Sequence, residues 1–120
     1  MLKIALHGYT SVAPVEVESR LTQVVLDCCG WILEEKPVSV SAYRLRFEVG
    51  LADIQDLYAS LQQAGLQLTP MAHRALTEMC LCRHHLPPGG EAQIVSIDLY
   101  VGTRDEEGIR FRRFVRMHPA

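Results

Sequence analysis

The clearest hydrophobic pattern lies in the last third of the chain. Val95, Ile97, Leu99 and Val101 occupy every second position, with Ser96, Asp98 and Tyr100 between them, the period of a strand with one buried and one solvated face. Thr103-Arg104-Asp105-Glu106-Glu107-Gly108 follows as a turn, and a second alternating run starts at Ile109. Setting Thr103 opposite Ile109 brings Val101 to Phe111, Leu99 to Arg113, Ile97 to Val115 and Val95 to Met117. Ser96, Asp98 and Tyr100 then meet Arg116, Phe114 and Arg112. The pattern predicts a β-hairpin over 92–117, in a register that a slip of one residue would destroy.

Upstream, Leu2, Ile4 and Leu6 alternate with Lys3, Ala5 and His7, which predicts a short first strand ended by Gly8. Pro14 suits a first helical turn, and Glu16 and Glu18 complement the positive end of a helix. Val17, Leu21, Val24, Cys28, Trp31 and Ile32 recur at three and four, so the spacing predicts one long helix over 15–35, stopped by Pro37. Gly30 then falls in its interior, at a cost of about 1 kcal/mol against Ala.

A second strand is predicted over 38–49, with Tyr43, Leu45, Phe47 and Val49 on one face and Arg44, Arg46 and Glu48 on the other. Val38, Val40 and Ala42 are in the opposite phase, which implies a bulge near Ala42 or a strand that begins there. Leu51, Ile54, Leu57 and Leu61 mark a helix over 51–64 with Gly65 beyond its end. Leu66-Gln67-Leu68 reads as a connector or a fragment of edge strand. Thr69-Pro70 opens a third helix reaching His84, with Ala72, Ala75, Leu76, Met79 and Cys82 as its stripe and Leu86-Pro87-Pro88-Gly89-Gly90 as its break.

Helices with one apolar stripe and strands with one apolar face make two layers. The expected fold class is α+β: a two-layer sandwich of about four mainly antiparallel strands with three helices on one face, ferredoxin-like or a variant of it. Such a fold hosts many unrelated functions. At 120 residues and 48% hydrophobic content, a single domain over 1–120 is expected to bury one core without disulfides or metal.

Charge and composition narrow the classes of partner. A formal net charge of -2 and a pI near 6.2 argue against a protein dominated by nucleic acid, so that partner is not expected overall. The start of the chain lacks a long apolar signal segment, and no apolar run approaches the roughly 18 residues of a membrane span. No membrane partner is expected. The four cysteines, two of them adjacent at Cys28 and Cys29, read as small buried thiols in a reducing compartment, which points to the cytoplasm.

Candidate chemistry is sparse. His73, Cys80 and His84 lie near one helical face and could offer imidazole and thiolate to zinc or copper. The spacing matches no zinc knuckle or finger, and the plainer reading gives Cys82 to the core, Cys80 to its margin, and His84 and His85 to the helix C-terminus. Cys28 and Cys29 have no base tied to them, Pro87-Pro88-Gly89-Gly90 precedes a strand rather than a helix, and Glu34-Glu35 and Glu106-Glu107 suit solvated ends. No catalytic residue is assigned, no cofactor is expected, and the balance leans away from an enzyme.

The polar sheet face is more informative. It would display Lys3, His7, Arg44, Arg46, Glu48, Ser96, Asp98, Tyr100, Arg110, Arg112, Phe114 and Arg116, with basic residues in excess, opposite an acidic helical face. Arg44, Arg46, Tyr100, Arg112, Phe114 and Arg116 mix cations and aromatics as an interface or an anion site does. Single-stranded nucleic acid is a third use of such a mixture. Asp98, diagonal to Arg112 and Arg116, balances charge. Arg113 falls on the apolar face, where it guards a sheet edge or meets a carboxylate or phosphate in a pocket between sheet and helices. The leading expectation is a homodimer through the sheet face, with a small anionic ligand as an added possibility. The rival is a small enzyme or metal-binding protein using His73, Cys80 and His84.

Overall fold

The computed structural model describes residues 2–11, 14–84 and 93–103. Their order is β1 (Leu2–Thr10), α1 (Pro14–Asp27), β2 (Trp31–Ser39), β3 (Ala42–Gly50), a 3-10 turn (Leu51–Asp53), α2 (Ile54–Gln63), β4 (Gln67–Leu68), α3 (Pro70–His84) and β5 (Ile94–Thr103). The fold is α+β, with a five-stranded mixed sheet ordered β2-β3-β5-β1-β4. β1 runs parallel to β5, and the β1–β4, β2–β3 and β3–β5 pairs are antiparallel. The strand count is five where about four are expected, and this order does not establish a ferredoxin-like relation.

Alternation decides which face is buried. Tyr43, Leu45, Phe47 and Val49 of β3, Val95, Ile97, Leu99 and Val101 of β5, and Leu6 of β1 pack against Val17, Leu21, Val25, Leu51, Ile54, Leu57, Leu61, Ala72 and Leu76 in one core. The core face of each strand is the one its period assigns. Thr69 opens α3 as expected: its hydroxyl accepts the Ala72 N–H at 3.2 Å and its carbonyl accepts the His73 N–H at 2.9 Å. Cys82 is exposed and Cys80 half-buried, so the α3 stripe turns further toward Cys80 than the spacing implies.

Two expectations are overturned. The helix predicted over 15–35 ends at Asp27, Cys29 takes φ 60°, and the chain re-emerges as β2. Trp31 and Ile32, assigned to the helical stripe, are strand residues. Gly30 lies in a tight corner, where an added Cβ would stand 2.7 Å from the Glu48 carbonyl oxygen and 2.9 Å from Val25 Cγ1. The run predicted as one strand over 38–49 is split by the turn at Val40-Ser41, with Ser39 opposite Ala42. β3 thus begins at Ala42, one of the two readings that the change of phase allowed, because a hairpin turn precedes it.

The second correction concerns the terminal hairpin. β5 pairs with β3 from Ile94 to Gly102 and with β1 from Val95 to Thr103. Both of its hydrogen-bonding edges are occupied, so the predicted second arm has no edge of β5 to join. Arg112, Arg113, Phe114 and Arg116, with His85, lie outside the described residues. The partners inferred for them from that register are withdrawn.

Candidate functional site

The helices cover one side of the sheet, and the other side arranges its residues in rows set by the strand register. Lys36, Arg44, Tyr100 and His7 stand side by side across β2, β3, β5 and β1. The adjacent row is Glu34, Arg46, Asp98 and Ala5, and the next is Trp31, Glu48, Ser96 and Lys3. Glu34, counted with an acidic helix by its sequence, is a sheet-face residue. Lys36 joins the same face, so the two charges cancel and leave the basic excess among the described residues unchanged.

Arg44 reaches one row over to Asp98. Its Nε donates to Oδ1 at 2.7 Å and its Nη2 to Oδ2 at 2.5 Å, a two-pronged contact with both side chains less than a third exposed. That geometry is favoured by a planar guanidinium. The Arg44 hydrogen bonds hold the Asp98 carboxyl below its ordinary range; partial burial opposes this, and the charges of Arg44, Arg46 and His7 add to it. Asp98 therefore balances charge as expected, but through Arg44. Arg46 Nη1 lies 3.4 Å from Glu34 Oε2, a looser and more exposed pair.

Tyr100 is sandwiched. The Arg44 guanidinium carbon stands 5.3 Å from its ring centroid, and His7 stacks on it with centroids 5.1 Å apart and planes within 11°. These neighbours come from the strands on either side of β5, so both faces of the ring are taken. A base cannot stack on Tyr100 without displacing one of them.

The apolar side chains left in solvent are concentrated elsewhere. Trp31 is 44% exposed, Leu33 48%, Val38 57% and Val40 98%, all on β2 or its turn. β2 is an edge strand, and register shifts between Ile32 and Glu34 and between Pro37 and Ser39 break its regularity. Bulges and Pro37 hinder strand addition. They leave side-chain packing as the way to cover this edge.

The metal candidate is only partly assembled. His73 Nδ1 and the Tyr58 hydroxyl are joined by a 2.5 Å hydrogen bond between α3 and α2, which gives one imidazole nitrogen a protein partner. Cys80 lines a cleft of about 280 Å³ with Gln55, Thr77, Leu81 and the same Tyr58. The side chain of His84 lies outside the described part. Among the described residues no group of three His, Cys, Asp or Glu could hold a metal ion. Burial pushes the Cys28 thiol up, a hydrogen bond with Ser60 opposes this, and the charges of Asp56, Asp53 and Asp27 reinforce the rise, which disfavours the thiolate a nucleophile needs.

One polar group escaped the sequence reading. The hydroxyl of Tyr43, on the buried face of β3, has no hydrogen-bond partner among the described residues. Burial raises its pKa well above the usual tyrosine value, with Glu18 and Glu35 contributing. Period-2 alternation could place Tyr43 in the core but could not supply its neighbours. No helix among the described residues is long and apolar enough to cross a membrane. No family model matches the chain, and no curated protein or solved structure matches it.

Proposed function

We propose that this protein acts by self-association, as a homodimer that buries β2 and the adjoining outer face of the sheet. The observation that carries the reading is the exposed run Trp31, Leu33, Val38 and Val40 along one edge. A single large apolar side chain in solvent needs no explanation, but four of them on one edge strand and its turn mark a surface that meets something.

Two features favour a second copy over a different partner. Glu34 and Lys36 flank the centre of β2 with opposite charges, and a two-fold interface needs a patch that complements itself. Four neighbouring strands are about 19 Å wide and about 30 Å long, on the order of 600 Å² of flat area before side-chain relief. That approaches the roughly 800 Å² per partner of a stable interface. Arg44 and Arg46 already meet carboxylates, so they act here as ordered polar groups within the buried face rather than as open anion ligands. Arg112, Phe114 and Arg116 remain candidates for the same surface on composition alone.

Sedimentation equilibrium at low and high salt tests the reading. An apolar interface predicts a dimer that persists or tightens in salt, whereas a strict monomer at high protein concentration would refute it.

A further inference from the structure

A second site lies on the opposite flank of the sheet from β2. β4 is two residues long and pairs with β1 at Gly8 and Tyr9, and the Thr69 N–H then donates to the His7 carbonyl at 3.0 Å before the chain turns into α3. The short strand sets the first turn of α3 beside the outer face of β1. Between them is a cleft of about 580 Å³ lined by Ala5, His7, Tyr9, Thr69, Pro70, Met71 and Ala72, within the usual range for a small-molecule site.

Its walls are largely apolar and aromatic, and they are ordered from behind. His7 is stacked on Tyr100, which Arg44 braces in turn. Tyr9 lies across Gly102, where an added Cβ would stand 3.3 Å from the ring. Ala5 is the small side chain in the β1 row and gives the cleft depth. Tyr100 takes the His7 ring face on the β5 side, and the cleft lies on the other side of β1, so the second ring face of His7 looks into it. Met71, 82% exposed, stands at the rim, where a flexible thioether adapts to an aromatic guest.

We propose that this cleft binds a small planar aromatic molecule, which stacks on His7 and extends the Arg44–Tyr100–His7 series by one ring. Little ordering is needed on binding, because the His7 ring is already held by its stack. The cleft opens at the β4 flank of β1, the fourth strand from the β2 edge, and following indole binding at a dilution where sedimentation shows the monomer keeps its outcome separate from that of the dimer.

Indole, with the uncharged saturated bicycle octahydroindene as control, is a suitable probe, followed by protein NMR on the full chain. Indole should shift the Met71 methyl and His7 ring resonances saturably, with half-saturation at about 1 mM, as befits a fragment-sized ligand. Octahydroindene should bind at least about five-fold more weakly, since it fills space but cannot stack. His7→Ala should weaken indole to a similar extent and His7→Phe should restore it. Equal binding of the two probes, or no saturable shift at Met71 and His7, would overturn the proposal. The two-probe comparison uses the unaltered protein and decides the matter even where a variant fails to fold.

Discussion

Replacing Gly30 with Ala separates two accounts of residues 28–36 by the sign of its effect. In a continuous helix the substitution would stabilise the protein by about 1 kcal/mol, the propensity difference between the two residues. In the corner between α1 and β2 the new methyl would stand 2.7 Å from the Glu48 carbonyl oxygen, 2.9 Å from Val25 Cγ1 and 3.1 Å from the Val25 carbonyl oxygen. Two of these three neighbours are backbone, in a helix end and a central strand, so neither moves without disturbing the Gly30 N–H bond to Val25 O or the Trp31–Glu48 pairing. Overpacking of this kind costs about 1–3 kcal/mol. Urea unfolding read by far-ultraviolet circular dichroism should therefore show a lower midpoint with an unchanged slope. A stabilised Gly30→Ala protein would mean that the helix continues and that the β2 account is wrong.

Three other outcomes follow from named groups. Cys29→Gly, at φ 60°, should stabilise by up to about 1 kcal/mol in the same unfolding assay, because Gly takes the left-handed conformation without a Cβ penalty. Tyr43→Phe removes a buried hydroxyl with no partner among the described residues, so stability should hold or rise by about 1 kcal/mol; a loss of 2 kcal/mol or more would mean that the hydroxyl is satisfied. Asp98, whose carboxyl is held low by Arg44, contributes stability that is present above the unfolded value of about 3.9 and is lost as pH falls through the lower folded value. Asp98→Asn should thus be less stable than wild type at pH 7, with the gap closing below about pH 4; a gap independent of pH would contradict the ion pair.

What was legible in the sequence was what a local period can carry. The stripe of Leu51, Ile54, Leu57 and Leu61 places all four in the core, and the Thr69-Pro70 entry caps α3. Alternation in β3 and β5 assigns every buried side chain to the correct face. It cannot say which strands are neighbours, because pairing joins residues far apart in the chain. The terminal hairpin failed for that reason: two alternating runs in sequence invite pairing, yet β3 and β1 hold both edges of β5.

β2 was illegible for a different reason. Its register shifts at Leu33 and Val38 erase the period of two, and Glu34-Glu35-Lys36-Pro37 resembles a charged helix terminus. The site inherits both limits. The sequence placed Arg44, Tyr100 and His7 on one face, but the stack through Tyr100 and the bond from Arg44 to Asp98 depend on β5 lying between β3 and β1. The exposed edge at Trp31 was hidden inside a presumed helix.

Trp31 is the one tryptophan of the chain, so it reports directly on the proposed interface. Burying the 44% of its surface that is exposed removes on the order of 110 Å² from water, worth at most about 3 kcal/mol per protomer. The decisive measurement is the tryptophan emission maximum during dilution, alongside sedimentation equilibrium of wild type and Trp31→Lys. Self-association through β2 predicts blue-shifted emission that moves to the red as dimers dissociate, and a Trp31→Lys protein that stays folded but monomeric at concentrations where wild type is dimeric. Emission independent of concentration, or a Trp31→Lys protein that dimerises as wild type does, would contradict it.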